Sequence, residues 1–206
     1  MQIVGLTGSI GMGKSTIAGM FLRRGIPVFD ADLQVHRLYE GEAVPLVEAA
    51  FPGTTAAGRV DRAKLAAALG RDSAKFRRLE QIVHPLVRDA EIRFLRDASQ
   101  SGVETAALEI PLLFEAGLDA HVDAVVVVSA PPDVQRARVL ERPGMSEARL
   151  DALLARQLPD DEKRRRADFV VDTGGTLADS EAQVDAILAA LKSKPAHAFM
   201  RHWQEA

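Results

Sequence analysis

The stretch Gly8-Ser-Ile-Gly-Met-Gly13-Lys14-Ser15 constrains this chain more than any other, because it follows directly on the apolar run from Gln2 to Thr7. The spacing Gly-x-x-x-x-Gly-Lys-Ser wraps backbone N–H groups around an anion and aims a helix N-terminus at it. Gly8, Gly11 and Gly13 allow backbone angles and close approaches that a side chain would block. Met12 lies within the same loop. Lys14 is placed to neutralise the β- and γ-phosphates of a nucleoside triphosphate, the Ser15 hydroxyl to bind Mg²⁺, and Thr16 to touch the α-phosphate. Such a loop needs a strand before it and a helix after it, so the chain must open β–loop–α.

The remaining pattern extends that unit. A helix is expected from Gly13 to Arg24, with Ile17, Met20 and Phe21 as its apolar stripe, Arg23 and Arg24 favourable at its C-terminal dipole, and Gly25 as a left-handed stop. Ile26 to Phe29 reads as a second strand ending at Asp30, which implies a parallel pair with a right-handed crossover. From Asp61 to Ser101 the periodicity is helical: Leu65 and Leu69 share one face, then Phe76, Leu79, Ile82 and Val83 another. Pro85 suits the first turn of a third helix there, carrying Leu86, Ala90 and Phe94. Strand signals resume at Val103 to Ile110, Ala124 to Ser129 and Phe169 to Val171, as continuous apolar runs that suit strands buried on both faces. A last helix carries Val184, Ile187, Leu188 and Leu191.

The expected class is therefore α/β, the three-layer P-loop NTPase fold with a five-stranded parallel sheet. One domain spans 1–192, with a helical insertion at about 60–101 and a helical lid at about 133–165. Residues 193–206 read as a tail in which Trp203 packs locally or has no role.

Composition closes several other possibilities. The formal net charge of −3 lacks the basic excess of a general nucleic-acid binder. No cysteine is present, which removes disulfides, thiolate nucleophiles and zinc–thiolate sites together. Apolar runs are far shorter than the roughly 18 residues that suggest a bilayer span, and no secretory leader pattern is visible, so a soluble, cytoplasmic protein is expected.

Outside the glycine loop, Asp30 and Asp32 follow the second strand at the sheet edge where ligands gather in parallel sheets. Either could orient or deprotonate an acceptor hydroxyl, hold water on Mg²⁺, or simply cap the next helix. Gln135, Arg138 and Arg142 fall at i, i+3 and i+7 and share one helical face. Two arginines four apart repel, a cost that an anionic ligand relieves, although a solvated face balanced by Glu141 reads equally well. Ser146 can cap the helix that follows Pro143-Gly144. Lys163-Arg-Arg-Arg166 reads as a solvated run. Asp172-Thr-Gly-Gly175 imitates a GTPase switch element but follows the last strand, and no Asn-Lys-x-Asp occurs, so a small-metabolite kinase is favoured.

At this level the chain resembles the dephospho-CoA kinase family across about residues 1–192. The resemblance rests on the loop within Leu6 to Thr16, Asp30-Ala-Asp32, Leu79-Glu80, His84-Pro85, and Pro111-Leu-Leu-Phe-Glu115 followed by Gly117-Leu118. Gln135, Arg138, Arg142, Gln157 and Ala167-Asp168 continue it. It implies ATP-dependent phosphorylation of the ribose 3′-hydroxyl of dephospho-CoA. Asp32 becomes the candidate base, Lys14 and Ser15-bound Mg²⁺ hold the phosphates, and Arg138 and Arg142 belong to the lid. The helical insertion becomes the acceptor-binding part, with Arg62, Leu65, His84 and Pro85 in or near the pocket. Pro111, Leu112 and Leu113 would shape it at the sheet edge, the two leucines being equally suited to the core. His84 alone would as readily pack or cap. The sequence departs from the family at His36, where Arg is common, and at Thr173, where Asn is common. Shikimate kinases share the loop and an Asp-x-Asp but lack the Pro-Leu-Leu-Phe-Glu and His-Pro elements, and a nucleotide-dependent switch would need no acceptor.

Overall fold

A computed structural model describes residues 1–204. Strand β1, Gln2–Thr7, is buried along its whole length and runs into the glycine loop and then helix α1, Lys14–Arg23. Strand β2 is Val28–Asp30, followed by α2, Ala31–Leu38, and α3, Ala43–Ala50. A two-stranded antiparallel hairpin, β3 (Thr55–Ala56) and β4 (Arg59–Val60), turns through Ala57 and Gly58, with φ of 50° and 75°. Next come α4, Arg62–Leu69, and the long α5, Ser73–Gln100. Strand β5 is Thr105–Glu109, a 3₁₀ turn covers Leu118–His121, and β6 is Ala124–Ser129. The remainder comprises α6 (Pro132–Leu140), α7 (Glu147–Leu154), α8 (Asp160–Arg166), β7 (Phe169–Asp172), α9 (Leu177–Leu191) and a π-helical turn at Phe199–Trp203.

The chain forms two compact units, Met1–Phe29 with the chain from Leu95 onward, and Asp30–Phe94. The sheet has the order β2-β5-β1-β6-β7, and the β1–β5, β1–β6 and β6–β7 ladders are parallel. Central placement explains why β1 and β6 carry continuous apolar stretches, Ile3 to Leu6 and Ala124 to Val128, rather than alternating ones. Val4 and Leu6 of β1, Val126 and Val128 of β6 and Val171 of β7 share a core with Ile17, Met20 and Phe21 of α1 and Val184, Ile187 and Leu191 of α9. Complete burial of Phe21 alone contributes about 2–3 kcal/mol. A side chain on Gly5 would meet the Leu113 side chain at 2.9 Å, so glycine there lets Leu113 close on β1.

The second unit has its own core of Leu38, Ala43, Val47, Phe51, Val60, Leu65 and Leu69, with Tyr39, Leu79, Ile82 and Leu86 packed against it. This unit begins at Asp30 and so takes in α2, α3 and the hairpin, well ahead of the helical insertion expected from about residue 60. Glu48 organises the turn before the hairpin by accepting from the Gly53 and Thr55 N–H groups at 2.7 and 3.1 Å.

Two expectations are corrected. Pro85 starts no helix; it lies inside α5, which continues through it. The proline forgoes only the bond to the carbonyl four residues back, and the flanking turns keep theirs. The Lys163–Arg166 run is not wholly solvated, because Lys163 has no exposed surface. Four consecutive helical residues span more than a full turn, so one of them must face what the helix packs on, and α8 packs on β6. Of the two readings of Trp203, the structure shows packing: the residue is 1% exposed, and its Nε1–H donates to the His121 carbonyl at 2.7 Å. Among the described residues no helix is long and apolar enough to cross a membrane.

Candidate active site

The glycine loop between β1 and α1 has the strained geometry its composition permits. Gly8, Gly11 and Gly13 take φ of 151°, 79° and 90°. A Cβ on Gly8 would stand 2.3 Å from the Val128 carbonyl oxygen, and one on Gly11 would stand 2.4 Å from Val139 Cγ2. The loop is thus pressed against β6 and α6 at positions where only glycine fits. Gly13 is the N-cap of α1 and offers no capping side chain, so the positive end of the helix dipole meets the loop uncapped, as suits an anion. Lys14 Nζ donates to the Gly8 carbonyl at 2.7 Å, spanning the loop from end to end. Ser15 and Thr16 are exposed. Met12 is 2% exposed and contributes through its backbone, while its sulfur accepts from the Ala130 N–H at 3.1 Å.

A cleft of about 410 Å³ opens beside the loop, lined by Gly11, Gly13 and Thr16 together with Arg138, Arg142, Thr173 and Leu177. Both lid-candidate arginines therefore line the same cleft as the loop. They do so differently from a shared helical stripe, since α6 ends at Leu140 and Arg142 follows it in a turn. Arg138 donates through Nη1 to Thr173 Oγ1 at 2.9 Å and through Nη2 to the Thr173 carbonyl at 2.7 Å. Gln135 faces inward, 7% exposed, and donates to the Ile10 carbonyl at 2.7 Å. Gln157, between α7 and α8, accepts from the Ile10 N–H at 3.3 Å. Ser146 caps α7 as expected.

On the segment Pro111 to Glu115, the Pro111 carbonyl accepts from Thr7 Oγ1 at 3.2 Å. Leu112 is exposed, whereas Leu113 is fully enclosed and acts as core. Glu115 accepts from the Leu158 N–H at 2.8 Å and pairs with Lys163 Nζ at 3.0 Å, fastening this segment to α8. Arg166 adds a contact over the Phe114 ring at 4.4 Å and a bond to Asp119 at 2.7 Å.

In the second unit, Asp30 and Asp32 separate cleanly. Asp30 is the N-cap of α2 and accepts from the Leu33 N–H at 2.9 Å, whereas Asp32 is exposed in the first turn of that helix. Arg62 is exposed at the start of α4 with its guanidinium 5.7 Å from the Tyr39 ring centroid. Burial raises the Tyr39 phenol above its ordinary value while the Arg62 charge opposes it. Leu65 is buried in this unit's core, and His84 and Pro85 are exposed on α5. Sequence reasoning missed the structural work of Gln135, Thr173 and Lys163. Each acts on a distant backbone or side-chain group, which no local pattern reveals.

With this arrangement established, relatives decide the family. The profile of the dephospho-CoA kinase family matches residues 2–179. The chain belongs to the dephospho-CoA kinase family. A dephospho-CoA kinase of Rhodopseudomonas palustris (strain BisB18) is 59% identical over 195 residues, covering 95% of this chain and 98% of the relative. A crystal structure of a Thermus thermophilus protein superposes with a TM-score of 0.78 at 38% identity, covering 92% of this chain and 97% of that one. The dephospho-CoA kinase of Campylobacter jejuni, 23% identical, shares the fold with a TM-score of 0.70 over 93% of this chain and 98% of that one. Family membership and the observed sheet together establish an α/β kinase fold in which the glycine loop follows the central strand.

Proposed function

We propose that this chain transfers the γ-phosphoryl group of ATP to the ribose 3′-hydroxyl of dephospho-CoA, giving coenzyme A and ADP. The observation that carries the reading is the formed cradle from Gly8 to Ser15, spanned by Lys14, in a chain nearly full-length similar to dephospho-CoA kinases. Lys14 and the α1 N-terminus would hold the β- and γ-phosphates, and Arg138 and Arg142 would add positive charge from the neighbouring cleft wall. Asp32 would take the hydroxyl proton as the acceptor oxygen bonds to the γ-phosphorus and the β–γ bridging P–O bond breaks. Arg62, His84, Pro85, Pro111 and Leu112 would contact the acceptor, with Leu65 and Leu113 shaping the pocket from the core side.

Among the described residues no group of three or more His, Asp and Glu could hold a metal ion. The exposed Ser15 hydroxyl instead suits Mg²⁺ arriving on the triphosphate, since that ion keeps its waters and takes only one or two protein oxygens at such sites. When bound, the ion neutralises charge on the β- and γ-phosphate oxygens. Incubation with Mg-ATP and either dephospho-CoA or shikimate, followed by mass analysis, tests the reading. A product 80 Da heavier (on the order of one HPO₃) from dephospho-CoA alone is expected; product from shikimate alone, or from neither, would overturn it.

A further inference from the structure

Glycine-rich loops bind phosphate only if their N–H groups face the anion, and glycine makes that orientation cheap to lose. With φ of 79° at Gly11 and 90° at Gly13, the peptides on either side of each can flip at little steric cost. A flipped peptide would present a carbonyl oxygen to the phosphate and repel it. Something outside the glycines must therefore set the peptide planes.

The structure shows the loop's alternate carbonyls each held by a side-chain donor. The Gly8 carbonyl accepts from Lys14 Nζ at 2.7 Å, the Ile10 carbonyl from Gln135 Nε2 at 2.7 Å, and the Met12 carbonyl from Thr173 Oγ1 at 2.8 Å. Cis peptide bonds are absent among the described residues, so in each unit the N–H points opposite to its C=O. Holding the Ile10 carbonyl turns the Gly11 N–H away from Gln135, and holding the Met12 carbonyl turns the Gly13 N–H away from Thr173. Gln157 pins the other side of Ile10 through its N–H. The Thr173 hydroxyl has one proton, and the Met12 carbonyl is closer to it than the Ser129 carbonyl at 3.3 Å. Its oxygen can then accept from Arg138 as well. Both clamps are themselves buried. Gln135 and Thr173 are each 7% exposed, and the Thr173 N–H donates to the Ser129 carbonyl at 2.8 Å.

We propose that Gln135 and Thr173 are positioning residues that preset the Gly11 and Gly13 amides of the loop for a polyphosphate chain. The inference rests on the reading of the loop as the ATP site. It extends that reading to two side chains that need not touch the nucleotide's phosphates themselves.

The test uses Gln135→Met and Thr173→Val, which keep side-chain volume and remove the donor, with Thr173→Ser as the variant that keeps the hydroxyl. Inorganic tripolyphosphate and ADP are titrated into each protein by calorimetry well below its melting midpoint, and the KM values for ATP and dephospho-CoA are measured. Each donor-less variant is expected to bind tripolyphosphate about tenfold more weakly and to raise the KM for ATP by a similar factor. Thr173→Ser should stay within about threefold of the parent, and the KM for dephospho-CoA should not move. Affinities within about twofold of the parent for both donor-less variants would overturn the proposal, even if their melting midpoints fall, since that pattern is purely structural. So would weakening confined to Thr173→Val, because that change also removes the Arg138 Nη1 bond whereas Gln135→Met does not. Tripolyphosphate contains no acceptor, so a failure to phosphorylate dephospho-CoA would count against the proposed reaction and leave this readout in force.

Discussion

Lys163 and Glu115 form an ion pair at 3.0 Å in which the lysine side chain has no exposed surface and the glutamate side chain is 19% exposed. Burial alone would raise the Glu115 carboxyl, but the Leu158 N–H, its own backbone N–H and Lys163 outweigh it and hold the group below its ordinary value. Removing one partner leaves a charge without compensation, which costs more than the pair was contributing. Glu115→Ala should therefore destabilise the protein by about 2–4 kcal/mol in urea unfolding. Lys163→Met, which replaces the buried charge by an apolar chain of similar length, should cost less. The double variant should be more stable than the sum of the two single losses, and strict additivity would show that the pair is not coupled.

Glu91 responds to pH with the opposite sign. It is 4% exposed, and burial raises its carboxyl to about 7, with the Arg88 guanidinium at 4.0 Å opposing. The folded state thus binds a proton that the unfolded chain has already released between the ordinary carboxylate value and about 7. Its contribution is fully present below the unfolded pKa and is lost as pH rises through the folded one, a change on the order of 3 kcal/mol. Urea midpoints followed from pH 5 to pH 8 (roughly the window set by the raised value) should fall less steeply in Glu91→Gln than in the parent. Equal slopes would remove Glu91 as the source.

Trp203 anchors the C-terminal segment. Beyond its bond to the His121 carbonyl, the segment is held by Asp123, which accepts from the His197 and Ala198 N–H groups at 2.6 and 2.8 Å and, through its other oxygen, from the Ile3 N–H at 2.8 Å. One carboxylate thereby joins the start of the central strand to a segment lying beyond residue 179, where the family match ends. Trp203→Ala should cost about 3–5 kcal/mol by thermal or urea unfolding, since it empties a fully packed site and removes the bond to the His121 carbonyl. A change below 1 kcal/mol (about the level of a surface substitution) would show the segment to be dispensable.

The sheet was legible because its signals are local. Ala124 to Val128 is an unbroken apolar run, and the glycine spacing demands the strand and helix that flank it. Asp30 and Asp32 were legible as a pair but not separable, because helix-capping depends on which side chain reaches the Leu33 N–H. Pro85 misled because its N1 preference is only a statistical consequence of lacking an N–H, and a long amphipathic helix tolerates the loss of one bond. Lys163 and Trp203 were illegible for a common reason. Their partners, Glu115 and His121, are far away in sequence, and burial of a cation or a tail aromatic is decided by tertiary packing.

The separation of the two aspartates gives the sharpest test of the proposed chemistry. Asp30 is committed to the α2 N-terminus, so Asp30→Asn, which preserves a cap acceptor, should leave turnover within a few-fold of the parent. Asp32 is exposed in the first turn and has no such duty. If Asp32 takes the acceptor proton as proposed, Asp32→Asn should lower kcat by about 10²–10⁴-fold, while ATP affinity measured by calorimetry stays within about threefold. Lys14→Ala should instead damage both quantities, because that side chain spans the cradle and would meet the phosphates directly. Parental turnover in Asp32→Asn would remove it from the mechanism. A large loss in Asp30→Asn, with folding intact, would move the base to the residue that now caps the helix.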